Sequence, residues 1–148
     1  MVEVVERVAV LAPAHRVWEA LTAWDRQSEW VLLTRVYATD LAGRAVGGGL
    51  TAVTGIGPIT FFTDPMVITE WSPPRICRVR HAGRVVRGTA SFEVSPDGPS
   101  QSIVTWSEHI VPPFGRLGES LWPAIEPFVA WGLRRSLRRF AAWAPSYP

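Results

Sequence analysis

Three side chains in this sequence combine titratable chemistry with an apolar setting: Glu6, His81 and Glu108. Alternation along Glu3 to Leu11 places Glu6 on the side of Val4, Val8 and Val10. In "ICRVRH" the same alternation groups His81 with Cys77 and Val79 and turns Arg78 and Arg80 to water. In the last run of strand character it groups Glu108 with Val104 and Trp106. Removal from water raises a carboxyl pKa, and imidazole titrates near neutrality, so such groups on an inner face are candidates for general acid and base. By the same reading His109 points outward, His15 lies on an exposed helical turn, and Asp64, directly before Pro65, is a bulge or turn residue.

Other chemistries are excluded or unsupported. Histidines 15, 81 and 109 fall on separate elements with no helical pair spacing, so no metal site is expected. Cys77 is alone, which rules out an intramolecular disulfide and a cysteine metal site. All 15 basic residues are arginine, which removes lysine Schiff-base chemistry and suggests a GC-rich, bacterial coding sequence. No serine sits in a Gly-x-Ser-x-Gly turn, and "GRAVGGG" lacks the ending of a phosphate loop and reads as a flexible hairpin. No cofactor is expected. The arginines are dispersed, so no nucleic-acid partner is expected, and Arg134, Arg135, Arg138 and Arg139 read as a solvated helix end.

The elements that must position these residues follow from pattern and length. A chain of 148 residues with 47% apolar and 19% charged residues is expected to form one domain, spanning 1–148. No apolar run approaches the roughly 20 residues of a membrane span. The start "MVEVVERVAVLAP" lacks signal-peptide order, so a cytoplasmic protein is expected. A strand at 3–11 is followed by a helix in "APAHRVWEALTAW", with Pro13 in its first turn, and by a second short helix from Asp25, its cap, to Trp30. Strands are expected at 32–39, 49–54, 58–71, 75–82, 84–95 and 101–111, in an antiparallel meander joined by short Gly/Pro turns. The chain closes on a long helix, "LWPAIEPFVAWGLRRSLRRFAAW". Pro123 and Pro127 predict that it becomes regular only near Glu126, after a bent segment at 115–125.

"LAPAHRVWEALTAWDRQSEW" is similar to the opening pattern of the START-like (SRPBCC) superfamily, which includes bacterial polyketide cyclase/dehydrase-type proteins. "ITEWSPPRICRVRHAG", "GTASFEVSPDG" and "IVTWSEHI" look like its later hairpins, and "PFGRLGES...LRRSLRRFA" looks like its final helix. The resemblance covers nearly the whole chain. It implies an α+β helix-grip fold: a curved seven-stranded antiparallel sheet wrapped around a long C-terminal helix, with two short helices after the first strand. It also implies that this helix lies across a groove, that the glycine loop at 47–49 borders the mouth, and that the first and last strands are neighbours, bringing Glu6 towards Glu108.

On that fold Trp30, Phe62, Val79, Phe92, Trp106, Leu121, Ile125 and Phe128 are expected to line a cavity for a small hydrophobic molecule, lipid or aromatic. Two other readings stand beside binding. Glu108, His81 and Glu6 would be the catalytic groups of a polyketide cyclase/dehydrase-type enzyme acting in the same cavity. Alternatively Leu121, Ile125, Phe128 and their neighbours fill a dry core, and exposed tryptophans among Trp122, Trp131 and Trp143 mark a protein partner or homodimer contact.

Overall fold

The structure, a computed structural model, describes residues 1–148. Strand β1 (Val2–Val10) is followed by helix α1 (Ala14–Leu21) and a 3-10 helix (Trp24–Glu29). Then come β2 (Thr34–Asp40), β3 (Gly49–Ile56), β4 (Ile59–Ser72), β5 (Ile76–Ala82), β6 (Arg87–Pro96), β7 (Ser102–Ile110) and helix α2 (Gly115–Trp143). The seven strands form one antiparallel sheet in the order β1-β7-β6-β5-β4-β3-β2. Because every hairpin connection is short, sequence neighbours pair, and only β7 back to β1 joins distant parts of the chain. Register shifts at Ala38/Asp40, Thr54/Gly55 and Ile68/Glu70 bend the β2–β5 half, as bulges do. The result is the α+β helix-grip fold.

Alternation does what the sequence predicts. Along β5 Cys77, Val79 and His81 are buried while Arg78 and Arg80 are exposed. In α1, Val17, Trp18, Ala20 and Leu21 form the buried stripe. Fully buried Trp30, Leu21, Leu137 and Phe140 anchor the core at one end of the grip, each contributing about 1.5–3 kcal/mol by burial. A smaller cluster of Val4, Trp122 and Leu133 fastens the other half of α2 to β1. No helix is long and apolar enough to cross a membrane.

Four local expectations are corrected. The second helix is a 3-10 helix starting at Trp24, with Asp25 inside its first turn and no side-chain cap. Residues 83–86 make the β5–β6 turn, so β6 starts at Arg87, later than strand propensity suggested. The glycine loop at 47–49 is pinned, not free: the Gly47 amide donates to the Ile68 carbonyl, and the Ile68 amide donates to the Gly48 carbonyl, each at 2.8 Å. Helix α2 is helical from Gly115 with both prolines inside. Pro123 and Pro127 lie four residues apart on one exposed face, so the carbonyls that lose their amide partners open to water and the helix survives.

Candidate functional site

The register of three hairpins brings one histidine between two carboxylates. His81 on β5 pairs with Met66 on β4, so Asp64, two residues along β4, is its diagonal neighbour on the same face. On the other side His81 pairs with Gly88 of β6, and Ala90 of β6 pairs with Glu108 of β7. The strands β5 and β7 are two spacings apart, about 10 Å. Only glycine and alanine stand between them, so His81 and Glu108 meet above β6.

The His81 Nδ1 proton is shared by Asp64, at 2.8 Å from Oδ2 and 3.0 Å from Oδ1. Nε2 donates to Glu108 Oε2 at 3.0 Å, and the Trp106 indole Nε1 donates to Glu108 Oε1 at 3.0 Å. Both ring nitrogens therefore face acceptors, an arrangement that only imidazolium satisfies in full.

Burial alone would lower the His81 pKa. The hydrogen bonds that His81 donates to Asp64 and then to Glu108, with the coulombic attraction of Glu108 and Asp64, outweigh burial and raise it from 6.5 to about 9. A histidine with a raised folded pKa contributes stability that is complete below its unfolded pKa and is lost as pH climbs through the folded one. Held charged in this way, the imidazole contributes on the order of a few kcal/mol to folding at low pH. Denaturant melts are therefore expected to show stability falling between pH 6.5 and pH 9; a flat profile across that window would contradict a charged His81. Cys77 lies on the same wall, but burial pushes its thiol up to about 12, so it is a poor nucleophile.

These ionisable groups sit on the wall of a cavity of about 490 Å³ between the sheet and α2. Of the residues expected to line it, Phe62, Val79, Phe92, Trp106 and Phe128 do, with Phe128 at the mouth, 74% exposed. Trp30 does not. It is fully buried behind the wall, 6.0 Å from Phe92 and 6.1 Å from Trp106 by ring centroids, and props them from the core side. Leu121 and Ile125 are also absent from the wall, at 50% and 43% exposure. Because α2 runs without a phase break, the face it turns inward carries Val129, Gly132, Leu133 and Ser136, and Leu121 and Ile125 project away.

Glu6 shares the inner side of β1, and β1 does pair with β7, with Val4 opposite Glu108 and Glu6 opposite Trp106. Its carboxylate nevertheless leaves the cavity to pair with Arg134 of α2, 2.9 Å from Nη2. That ion pair helps clamp α2 to β1, so Glu6 is a fastening of the grip and not a cavity acid. Trp122 is buried and Trp131 is exposed, consistent with their opposite helical phases.

Asp64 is the residue that pattern reading missed. Its position before Pro65 suggested a turn, yet it pairs with Ala52 inside β4 and is buried. Its signal was the alternation Phe62, Asp64, Met66, all three of which line the cavity.

The family model described as "Polyketide cyclase / dehydrase and lipid transport" matches residues 1–144. No curated protein matches the sequence. Among solved structures, the Zhui aromatase/cyclase of a Streptomyces species is similar, with a TM-score of 0.77 at 16% identity over 97% of this chain and 93% of that one. A Thermus thermophilus protein, TTHA0849, is similar with a TM-score of 0.78 at 11% identity over 98% of each chain. A polyketide-cyclase-like protein of Corynebacterium glutamicum has a TM-score of 0.62 at 16% identity, over 94% of this chain and 88% of that one. At these identities the likeness is one of fold.

Proposed function

Because the chain belongs to the polyketide cyclase/dehydrase and lipid transport family, we propose that it binds a small lipophilic or aromatic molecule in the cavity between sheet and α2. The observation that carries this reading is the cavity itself: about 490 Å³, walled mainly by apolar side chains, with one charged cluster set into it. Burying about 200 Å² of apolar ligand surface at about 25 cal/mol per Å² contributes on the order of 5 kcal/mol before the cost of association. Phe62, Val79, Phe92, Trp106 and Phe128 supply the apolar contacts, within one domain spanning 1–148.

The charged cluster favours a second reading, catalysis of the cyclase type. Cyclisation and dehydration of a carbonyl-rich chain need a proton taken from carbon or oxygen. The Glu108 carboxylate on the cavity wall is the acceptor best placed for that, oriented by Trp106 and His81. His81, holding protons on both nitrogens, is the electrostatic support of Glu108 and not the base. The Zhui neighbour, an aromatase/cyclase by name, lends this reading its fold-level precedent.

Native mass spectrometry of the purified protein, followed by organic extraction, tests the first reading. A defined lipophilic species bound to the wild type is expected, and its absence from Gly132→Phe is the control. A Cβ built on Gly132 meets no atom within 4 Å, so the phenyl ring grows into cavity space and displaces ligand without breaking the core. Equal retention by the folded variant would place the ligand elsewhere. Turnover of the extracted molecule by wild type but not by Glu108→Gln would support the second reading.

A further inference from the structure

The polar equipment of the cavity is lopsided. The chain carries 15 arginines, yet none lines the cavity. The charged groups there are Asp64, His81 and Glu108, and two carboxylates against one imidazolium leave a net negative charge. Every donor of that cluster is already used: His81 gives both protons to the carboxylates, and the Trp106 indole gives its proton to Glu108. What remains open to a ligand is acceptor capacity, because each carboxylate oxygen has a second lone pair. The other polar groups on the wall are uncharged. The Trp24 indole donates to the Gly43 carbonyl, one Gln27 amide proton goes to the Leu21 carbonyl, and Thr34 and Thr54 bond each other. The donors left over are neutral ones, the second Gln27 amide proton and the hydroxyls of Ser91 and Ser136, and none offsets the negative charge of the cluster.

Resting on the cavity-binding reading above, we infer that the cavity selects a lipophilic ammonium, an amine carried on an apolar or aromatic body, over neutral or anionic molecules of the same shape. An ammonium supplies the missing donors and compensates the excess negative charge where water is scarce. The rings of Phe62, Phe92, Trp106 and Phe128 add faces on which a cation is attracted. A fatty-acid carboxylate or a lipid phosphate would meet like charge with no arginine to pair it, which is a penalty built into the wall.

Three probes on one anthracene scaffold test this: anthracenylmethylamine, anthracenemethanol and anthracenecarboxylate, titrated at neutral pH with tryptophan fluorescence as readout. The ammonium is expected to bind at least about tenfold more tightly than the alcohol, and the carboxylate most weakly. In Glu108→Gln the ratio of ammonium to alcohol affinity is expected to fall severalfold, whatever happens to the two affinities separately. If the alcohol binds as well as the amine, or the carboxylate binds best, charge selection is overturned while the cavity reading stands. If no probe binds, the cavity reading fails and this inference with it. A ranking unchanged in both Glu108→Gln and Asp64→Asn would likewise overturn it, since the selecting charge would not be theirs.

Discussion

His81→Ala is expected to cost about 3–5 kcal/mol of folding free energy at neutral pH, the loss typical of a buried ion pair from which one partner is removed. The substitution deletes little apolar contact. Its effect comes from what it leaves behind: Asp64 and Glu108, each with its side chain about 10% exposed, turned towards a void that held their shared cation. Two such carboxylates repel, and one relieves the strain by taking up a proton. A carboxyl whose folded pKa rises contributes stability below its unfolded pKa and loses it as pH increases, so the variant itself should be most stable near pH 5. Its deficit against the wild type should close towards pH 9, where the wild type has lost the contribution of its imidazolium. The fall in stability that the wild type shows from pH 6.5 to pH 9 should vanish with the imidazole that causes it. Denaturant melts at pH 5, 7 and 9 measure all of this. A loss below about 1 kcal/mol at neutral pH would mean that water already screens the cluster. Adding Asp64→Asn and Glu108→Gln to His81→Ala should recover much of the loss, because no buried charge then remains unpaired.

How much of this site could be read from sequence depends on the range of the interaction that builds it. Strand alternation is local, so it correctly put His81 and Glu108 on the inner side of β5 and β7, and it would have put Asp64 there had Pro65 not suggested a turn. Antiparallel pairing of first and last strands, implied by the family resemblance, agrees with the register from Val2 opposite Ile110 to Val10 opposite Ser102. Glu6 shows where alternation stops being sufficient. The face it shares with Val4 is right, but its partner Arg134 lies 128 residues away, and no local spacing announces that pairing. In α2 the difficulty is different. Leu117, Leu121, Ile125 and Phe128 form one apolar stripe, while Trp122, Val129, Leu133, Leu137 and Phe140 form another, and hydrophobicity alone does not rank them. The sheet decides: the second stripe meets Val4, Trp106 and the core, and the first is left largely exposed. Trp30 stands in the expected neighbourhood but one layer behind the wall, because sequence does not distinguish a wall residue from one packed behind it.

Gly88→Ala is expected to be as damaging as losing His81 itself, although it adds one methyl group and removes nothing. Gly88 has φ of +117°, a conformation side-chain-bearing residues rarely adopt, and a Cβ there would lie 1.9 Å from the carbonyl oxygen of His109 on β7. Neither problem is soft, since the obstructing atom belongs to the neighbouring strand's backbone. Strain of this kind together with the clash should cost at least about 3 kcal/mol. Relief requires β6 and β7 to separate or slip at the one place where their register sets Glu108 beside His81, and a one-residue slip would turn Glu108 to the opposite face of the sheet. Fold and site should therefore fail together: in whatever fraction stays folded, the His81 imidazole, followed by NMR titration, should fall from about 9 towards 6.5. Ala90→Gly is the matching control. It removes a side chain beside the same histidine without demanding an unusual backbone, so it should leave the His81 titration high even if it costs some stability. A Gly88→Ala protein with wild-type stability and an unshifted His81 would show that β6 can admit a side chain there, and that the bare strand between β5 and β7 is not what lets the histidine reach its second carboxylate.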